Sequence, residues 1–339
     1  MRIFIFGPPE DKSNAYLRFI KAALNQVATE SGLLWIEGAL PEKGSESVVY
    51  FRTIDVTPVN AWWLYNLTLP WLAKKMKADK IISLTGTTLS SSLPQDIILS
   101  WVNQKLPFHW QRLARKKLGR SMARSKGAYS CRPTDPSGPG KIRQLKSFPL
   151  KTTAPVSEEA RIQLKNQHAD SQEFFYATLQ KANEADFVFL LKAFSNFKKW
   201  QLSNMRLLIE GSATDFPADK LANYRYRGDI RFVLPGQAEI RGAAYGAIHI
   251  TRDETDVMPA LECFQIGVPA IISSGVLLEK ESAEAALIFD PGSFETLARQ
   301  LIDIYKNEQA RREQINRGRQ MILTSHLSSA KDELRQLLR

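Results

Sequence analysis

The first half of the chain alternates short apolar runs with amphipathic stretches. Ile3–Phe6 is apolar throughout, with the aromatic and β-branched content of a buried strand. Ser13 then precedes Leu17, Ile20, Leu24 and Val27, which recur every three or four residues and predict a helix capped by that serine. Leu33–Ile36, Val48–Phe51, Lys80–Leu84 and Ile97–Val102 read as further strands. Between them, Trp62–Met76 reads as a helix that Pro70 should kink, with Trp62, Trp63 and Trp71 expected in the core. Strands separated by helices imply a parallel sheet covered on both faces.

The pattern breaks at Pro133–Gly140, a run of turn formers, and Phe148–Pro155 reads as a crossing between two halves. A second alternating series follows: strand Phe174–Thr178, helix Ala185–Trp200, strands Arg206–Ile209 and Ile230–Leu234, and a helix near Ala238–Tyr245. Strand Ala247–Ile250, helix Met258–Ile266 and strand Ala270–Ser273 come next, and Ser293–Lys306, Glu308–Leu323 and Ser329–Leu338 close the chain as helices. The expected architecture is α/β, two sandwiches in series over residues 1–150 and 151–324 with a cleft between them. Ligands in such folds lie beyond the carboxyl ends of the strands.

Composition narrows the function. A length of 339 residues, 44% hydrophobic and 24% charged, suits a folded two-domain protein. Two cysteines, Cys131 and Cys263, and four histidines make neither a disulfide framework nor a histidine-rich metal centre, so no metal is expected. No apolar run is long enough for a spanning helix and no secretory leader is read, which makes the cytoplasm the default compartment. The net charge of +11 is uneven: from Lys105 to Lys146 stand twelve Lys or Arg against one acid, Asp135. Within that stretch, residues 108–126 set Phe108, Trp110, Leu113, Leu118 and Met122 against cations. This helix is read as a solvated face or as a surface for anionic lipid at the inner membrane face. Nucleic acid ranks last, because no recognition motif accompanies the charge.

The most informative stretch is Ala244–Ser274. A strand ends at Ile250, a polar loop follows, and Pro259 lies in the first turn of a helix, where its missing N–H costs nothing. A helix start facing a cleft is an anion site. Glu254 precedes the helix and Glu262 lies one turn inside it, so the two carboxylates can bracket a ligand carrying both diphosphate and hydroxyls. The solvated alternative for both remains open, as does a choice for Asp256 between helix N-cap and sugar ligand. Cys263 reads as a small buried apolar residue, and His249 as packed in an interface.

The pair Glu254 and Glu262 with Pro259-Ala260-Leu261-Glu262, then Gly267-Val268-Pro269-Ala270-Ile271, resembles the donor-binding signature of group 1 glycosyltransferases. Ala283–Pro291, Phe294–Ile304, Arg311–Gly318 and Leu190–Phe194 are also similar to that family, so the likeness covers residues 172–322. The resemblance implies the GT-B fold, two Rossmann-like domains whose parallel sheets face a central cleft, the first (1–150) completed by a C-terminal helix over 325–339 and the second spanning 151–324. It implies a nucleotide-sugar donor and retaining transfer to an acceptor hydroxyl. It places Glu262 on the nucleotide ribose, Glu254 at the donor sugar or phosphates, and the amides of Val257 and Met258 at the diphosphate. It implies a glycan or lipid-linked acceptor in polysaccharide biosynthesis.

Departures from the family fall on its phosphate-binding residues. Its Gly-Arg and following Lys align with Leu179-Gln180 and Ala185, leaving Lys181 as the nearest substitute cation. Thr255-Asp256-Val257 replaces its Gly-x-Gly, and its His-Asp falls near Trp101–Asn103. The usually glycine-rich first loop is Gly7-Pro8-Pro9-Glu10, stiffened by prolines, with Gly7 as its remaining close-approach position. The expectation is therefore a glycosyltransferase with Glu254 and Lys181 as catalytic groups. Asp256 joins Glu262, Val257, Met258 and Gly7 as donor-binding residues. The second hypothesis is a non-catalytic GT-B binding subunit that has lost the Arg/Lys pair.

Overall fold

The central strands of this chain, such as Ile3–Phe6 and Phe174–Ala177, are apolar on both faces, and the folded protein shows why. The strands form two all-parallel sheets, and a parallel sheet is covered by helices on each side, so the usual in–out alternation disappears. The structure, a computed structural model, describes residues 1–8, 15–38, 47–54, 60–85, 87–99, 120–121, 123–130, 142–145, 147–150, 153–179, 184–253, 256–276, 283–324 and 327–339. The chain divides into two compact units, Met1–Leu150 with Ser328–Arg339, and Lys151–Leu327.

The first unit is built on β1 (Arg2–Gly7), β2 (Leu34–Glu37), β3 (Val48–Thr53), β4 (Lys80–Ser83), β5 (Gln95–Leu99), β6 (Gly127–Ser130) and β7 (Ile142–Gln144). Their order in the sheet is β2-β3-β1-β4-β5-β6-β7. Helix α1 (Ala15–Glu30) buries Leu17, Ile20, Leu24 and Val27, the predicted stripe. Ser13, its expected cap, lies outside the described residues, as do 100–102 of the predicted fifth strand and most of 108–126. Short β6 and β7 lie within the cationic stretch that the apolar pattern left without strands.

Helix α2 (61–75) departs from expectation twice. It runs as α over Ala61–Trp63, widens to a π-turn over Leu64–Thr68, and returns to α over Leu69–Lys75. Pro70 has no N–H and its ring crowds the carbonyl four residues back, and the wider turn just before it relieves that conflict. Leu69 accordingly donates to the Leu64 carbonyl, five residues back. The helix faces the core with Leu69, Ala73 and Met76, packed with Phe4, Phe6, Tyr50 and Ile81. Trp62, Trp63 and Trp71 are instead 58%, 61% and 57% exposed. The helix carries apolar residues on both sides, and only one side meets the sheet.

The C-terminal helix Leu327–Leu337 returns to this first sheet. It buries Ala330, Leu334 and Leu337. Lys331 and Arg335 reach Glu30 at 3.0 and 3.2 Å. Buried Lys80 of β4 pairs with buried Asp96 of β5 at 2.7 Å and donates to the Leu337 carbonyl at 2.7 Å.

The second unit contains β8 (Phe174–Leu179), β9 (Arg206–Glu210), β10 (Ile230–Val233), β11 (Gly246–Ile250), β12 (Ala270–Ser273) and β13 (Leu287–Phe289), in the order β10-β9-β8-β11-β12-β13. This is the doubly wound order of dinucleotide-binding sheets. Alternate residues of β8 point to separate cores. Phe175 and Ala177 pack with α4 (Glu184–Gln201, through Phe187, Leu190 and Phe194) and α7 (Phe294–Lys306, through Leu297 and Leu301). Phe174 and Tyr176 pack with α5 (Ala238–Gly242), α6 (Met258–Ile266) and α8 (Glu308–Thr324). Helix α3 (Glu158–His168), unread in the sequence, is capped by Ser157 accepting from Ala160 N–H at 3.2 Å. Gly318 lets α8 approach α6, since a Cβ there would lie 2.7 Å from the Phe264 ring. No described helix is long and apolar enough to cross a membrane.

Candidate functional site

The sheet of the second unit reverses its winding between β8 and β11, which are hydrogen-bonded neighbours. The helix after β8 packs on one face and the helix after β11 on the other. In sheets with such a switch, ligands lie beyond the carboxyl ends of the two strands. The β11 loop, 251–257, leads into α6, and this is the segment singled out in the sequence.

A three-residue relay anchors that loop. Thr178 and His249 lie opposite each other in the β8–β11 register. Thr178 Oγ1 is 2.8 Å from His249 Nδ1, and His249 Nε2 is 2.9 Å from Asp256 Oδ2. A carboxylate only accepts, so the Nε2–H donates to Asp256. His249 is buried. Further bonds tighten the loop: Thr251 N–H donates to Ser273 Oγ at 3.1 Å, and Asp253 N–H to Thr251 Oγ1 at 3.0 Å.

This bonding excludes the helix-cap reading of Asp256 and engages its carboxylate with His249. The N-cap of α6 is Val257, which has no side-chain acceptor, while Asp256 is turned toward His249. Among the described residues, the first turn of α6, with Pro259 in it, thus begins without a side-chain cap. At the far end Gly267, with φ of 77°, closes the helix in the left-handed conformation that glycine adopts without strain.

Glu262 lies one turn inside α6 and its side chain is 37% exposed. Its Oε2 accepts from Arg241 Nη2 of α5 at 2.5 Å, leaving Oε1 free of that contact. Burial opposes the Arg241 charge, but the neighbouring Cys263 and Glu262 outweigh it and hold the guanidinium pKa above its ordinary value. Tyr176, on the adjacent strand, donates to Glu210 Oε2 at 3.0 Å, and Glu210 Oε1 accepts from Gly236 N–H at 3.0 Å. Burial, then the Glu210 charge, pushes the Tyr176 phenol well up. Burial likewise pushes the Cys263 thiol up to about 11, so it is a neutral packing residue.

Arg252 is the residue that sequence reasoning missed. It follows the end of β11 by two positions, is 69% exposed, and donates to Asp186 Oδ1 at 3.0 Å. Asp186 lies in the first turn of α4, so Arg252 spans the switch point from the β11 side to the β8 side. Its position just past an apolar strand was the available signal.

Glu254 and Lys181 lie outside the described residues. Gly7 belongs to the first unit, at the end of β1, where its carbonyl accepts from Ile54 N–H at 2.8 Å. A Cβ there would lie 3.1 Å from the Leu84 side chain, a tight contact. Among the described residues, no group of three or more His, Cys, Asp or Glu side chains has metal-site geometry.

No protein-family model and no curated protein matches the sequence. Solved structures match over nearly the whole chain. WaaG, a glycosyltransferase involved in lipopolysaccharide biosynthesis, has a TM-score of 0.64 at 13% identity, covering 100% of this chain and 99% of its own. A glycosyltransferase from Rickettsia africae has a TM-score of 0.70 at 11% identity, with coverages of 99% and 97%. Anabaena HepE in complex with UDP gives 0.70 at 11% identity, with coverages of 100% and 99%. Two Rossmann-like α/β units and these likenesses define the fold as GT-B.

Proposed function

We infer that this chain is a glycosyltransferase that moves a sugar from a nucleotide-activated donor to an acceptor hydroxyl. The observation that carries the reading is the switch point of the second unit. There an uncapped helix start, an exposed arginine and a partly exposed carboxylate one turn into the helix lie around the same pair of strand ends. That grouping suits a nucleoside diphosphate. The amides of Val257 and Met258 with Arg252 meet the phosphates, and Glu262 Oε1 accepts from the ribose hydroxyls. Structural likeness to HepE in complex with UDP supports the same ligand class.

In the proposed reaction the bond from the anomeric carbon to the diphosphate oxygen breaks and a bond to the acceptor oxygen forms. The acceptor proton passes to the departing nucleoside diphosphate, and the anomeric configuration is retained. Charge grows on the diphosphate as it leaves, so a cation near it lowers the barrier; losing one such group costs about 3–4 kcal/mol in comparable sites. Arg252 takes that role in the position where the family's Arg and Lys are absent, with Lys181 as a second cation and Glu254 at the donor sugar. The Thr178–His249–Asp256 contacts hold the Asp256 carboxylate on His249. No metal is invoked. The acceptor is a glycan or lipid-linked hydroxyl, and residues 108–126 contribute to anionic-membrane contact.

Calorimetric titration with UDP, GDP and ADP tests the reading. Saturable binding of one of them, lost in Glu262→Ala, is expected. With that nucleotide's sugar, Arg252→Ala should lower turnover far more than binding. Absence of heat with all three nucleotides would refute the donor site, and binding without any transfer or hydrolysis would refute the enzyme.

A further inference from the structure

An outward-facing helix surface on a folded domain ordinarily carries charged or polar side chains. The outer side of α2 carries four large apolar residues, Trp62, Trp63, Leu67 and Trp71, among its polar ones. Trp63, Leu67, Trp71 and Lys75 follow one another at intervals of four, Trp62 lies beside Trp63, and all five are exposed. The π-turn over Leu64–Thr68 has more residues per turn than an α-helix, which brings steps of four closer to a straight ridge. Trp62 and Trp63 meet edge to face at 5.2 Å, and the Lys75 ammonium lies 4.8 Å over the Trp71 ring. The tryptophans are therefore held as a shaped surface.

Charge identifies what this surface fits. Residues 60–78 contain no acid, and Lys74, Lys75 and Lys77 lie exposed at one end. The unit that carries α2 holds 25 Lys and Arg against 12 Asp and Glu, a net of +13, of which Lys105–Lys146 supplies +11. The charge that bears on this face is therefore the local one of Lys74, Lys75 and Lys77. A carbohydrate or a neutral protein surface gains nothing from ammonium groups beside the tryptophans. An anionic bilayer rewards both features, with indole rings at the headgroup boundary and ammonium groups among the phosphates.

We propose that the outer face of α2, formed by Trp62, Trp63, Leu67 and Trp71 with Lys74 and Lys75, docks the protein on an anionic lipid bilayer. The helix lies in the membrane plane without crossing it, its inner row still packed on the sheet through Leu69 and Ala73. This contact uses residues distinct from the donor site and from segment 108–126.

The full chain is tested with sedimenting vesicles of mixed phosphatidylglycerol and phosphatidylcholine, and with phosphatidylcholine alone. Binding to the anionic vesicles, weakened by salt and accompanied by a blue shift of tryptophan emission, is expected. Trp62→Ser/Trp63→Ser/Trp71→Ser should abolish it, and Lys74→Ala/Lys75→Ala should weaken it about tenfold or more, as expected for two surface cations. Trp62→Phe/Trp63→Phe/Trp71→Phe keeps an apolar face, so it should still bind while losing quenching by brominated lipid. Three results would each overturn the proposal: no binding by the unaltered chain, binding unaffected by the serine variant, or binding lost only on replacing Lys116, Lys117 and Arg120. A dimer that the serine variant dissociates while vesicle binding persists would assign the face to a second copy instead.

Discussion

Lys80→Met removes the ammonium paired with Asp96 while keeping the volume of the side chain. Asp96 is 3% exposed, so its carboxylate cannot recover water when the ammonium is gone. Breaking a buried pair from one side costs about 3–5 kcal/mol. The same ammonium donates to the Leu337 carbonyl near the end of the C-terminal helix, so that helix loses an anchor as well. Set against about 5–15 kcal/mol for a typical domain, the change removes a large share of the first unit's stability. Urea unfolding, with hydrogen exchange over β4 and the C-terminal helix, reads the loss where it occurs. With a urea slope of about 1–3 kcal/mol/M, the midpoint for those amides should fall by more than about 1 M. Lys80→Met/Asp96→Leu, which removes both charges, should regain most of the loss. A single variant within about 1 kcal/mol of the parent, or a double variant no better than the single, would refute the account.

Arg241→Met should weaken binding of the nucleotide that Glu262 holds by about tenfold, the worth of one charge-assisted hydrogen bond, and Arg241→Lys should restore part of it. Equal affinities in isothermal titration would show that Glu262 needs no positioning. Gly267→Ala forces a side chain into the left-handed conformation and should cost about 1–2 kcal/mol, read as a lower melting temperature with nucleotide binding retained once folded. The hydrogen bond from Lys331, reinforced by Gln26 and by Arg335, outweighs burial and holds the Glu30 carboxyl below the usual range. Its contribution is therefore complete above about pH 5 and disappears as pH falls through the depressed value. Melting temperatures of Glu30→Gln and parent should differ at neutral pH and converge in acid; a gap that persists in acid would refute the linkage.

The second unit was legible in the sequence because its strands are long apolar runs between amphipathic helices, and Phe174, Arg206, Ile230 and Ala270 begin strands where the pattern put them. Strands β6 and β7 were not, because Gly127–Ser130 and Ile142–Gln144 are too short and too polar to rise above a cationic background. Helix α3 escaped notice because it buries no residue fully. The outward turn of Trp62, Trp63 and Trp71 was invisible for the opposite reason: a helix apolar on both sides does not announce which side meets the sheet. At the site, Glu262 could be picked from its spacing, but its partner Arg241 lies on another helix and His249 reaches Asp256 across a turn. Those pairings exist only in three dimensions, and the choice made for Asp256 depended on them.

The return of residues 328–339 to the first sheet gives the chain an order of assembly. A ribosome finishes the entire second unit before it makes the segment that closes the first, so the N-terminal sheet waits with Lys80 lacking its helix-end carbonyl while its neighbour can already fold. Trimming or tagging at that late segment therefore injures the opposite half of the protein, the one that carries the tryptophan face.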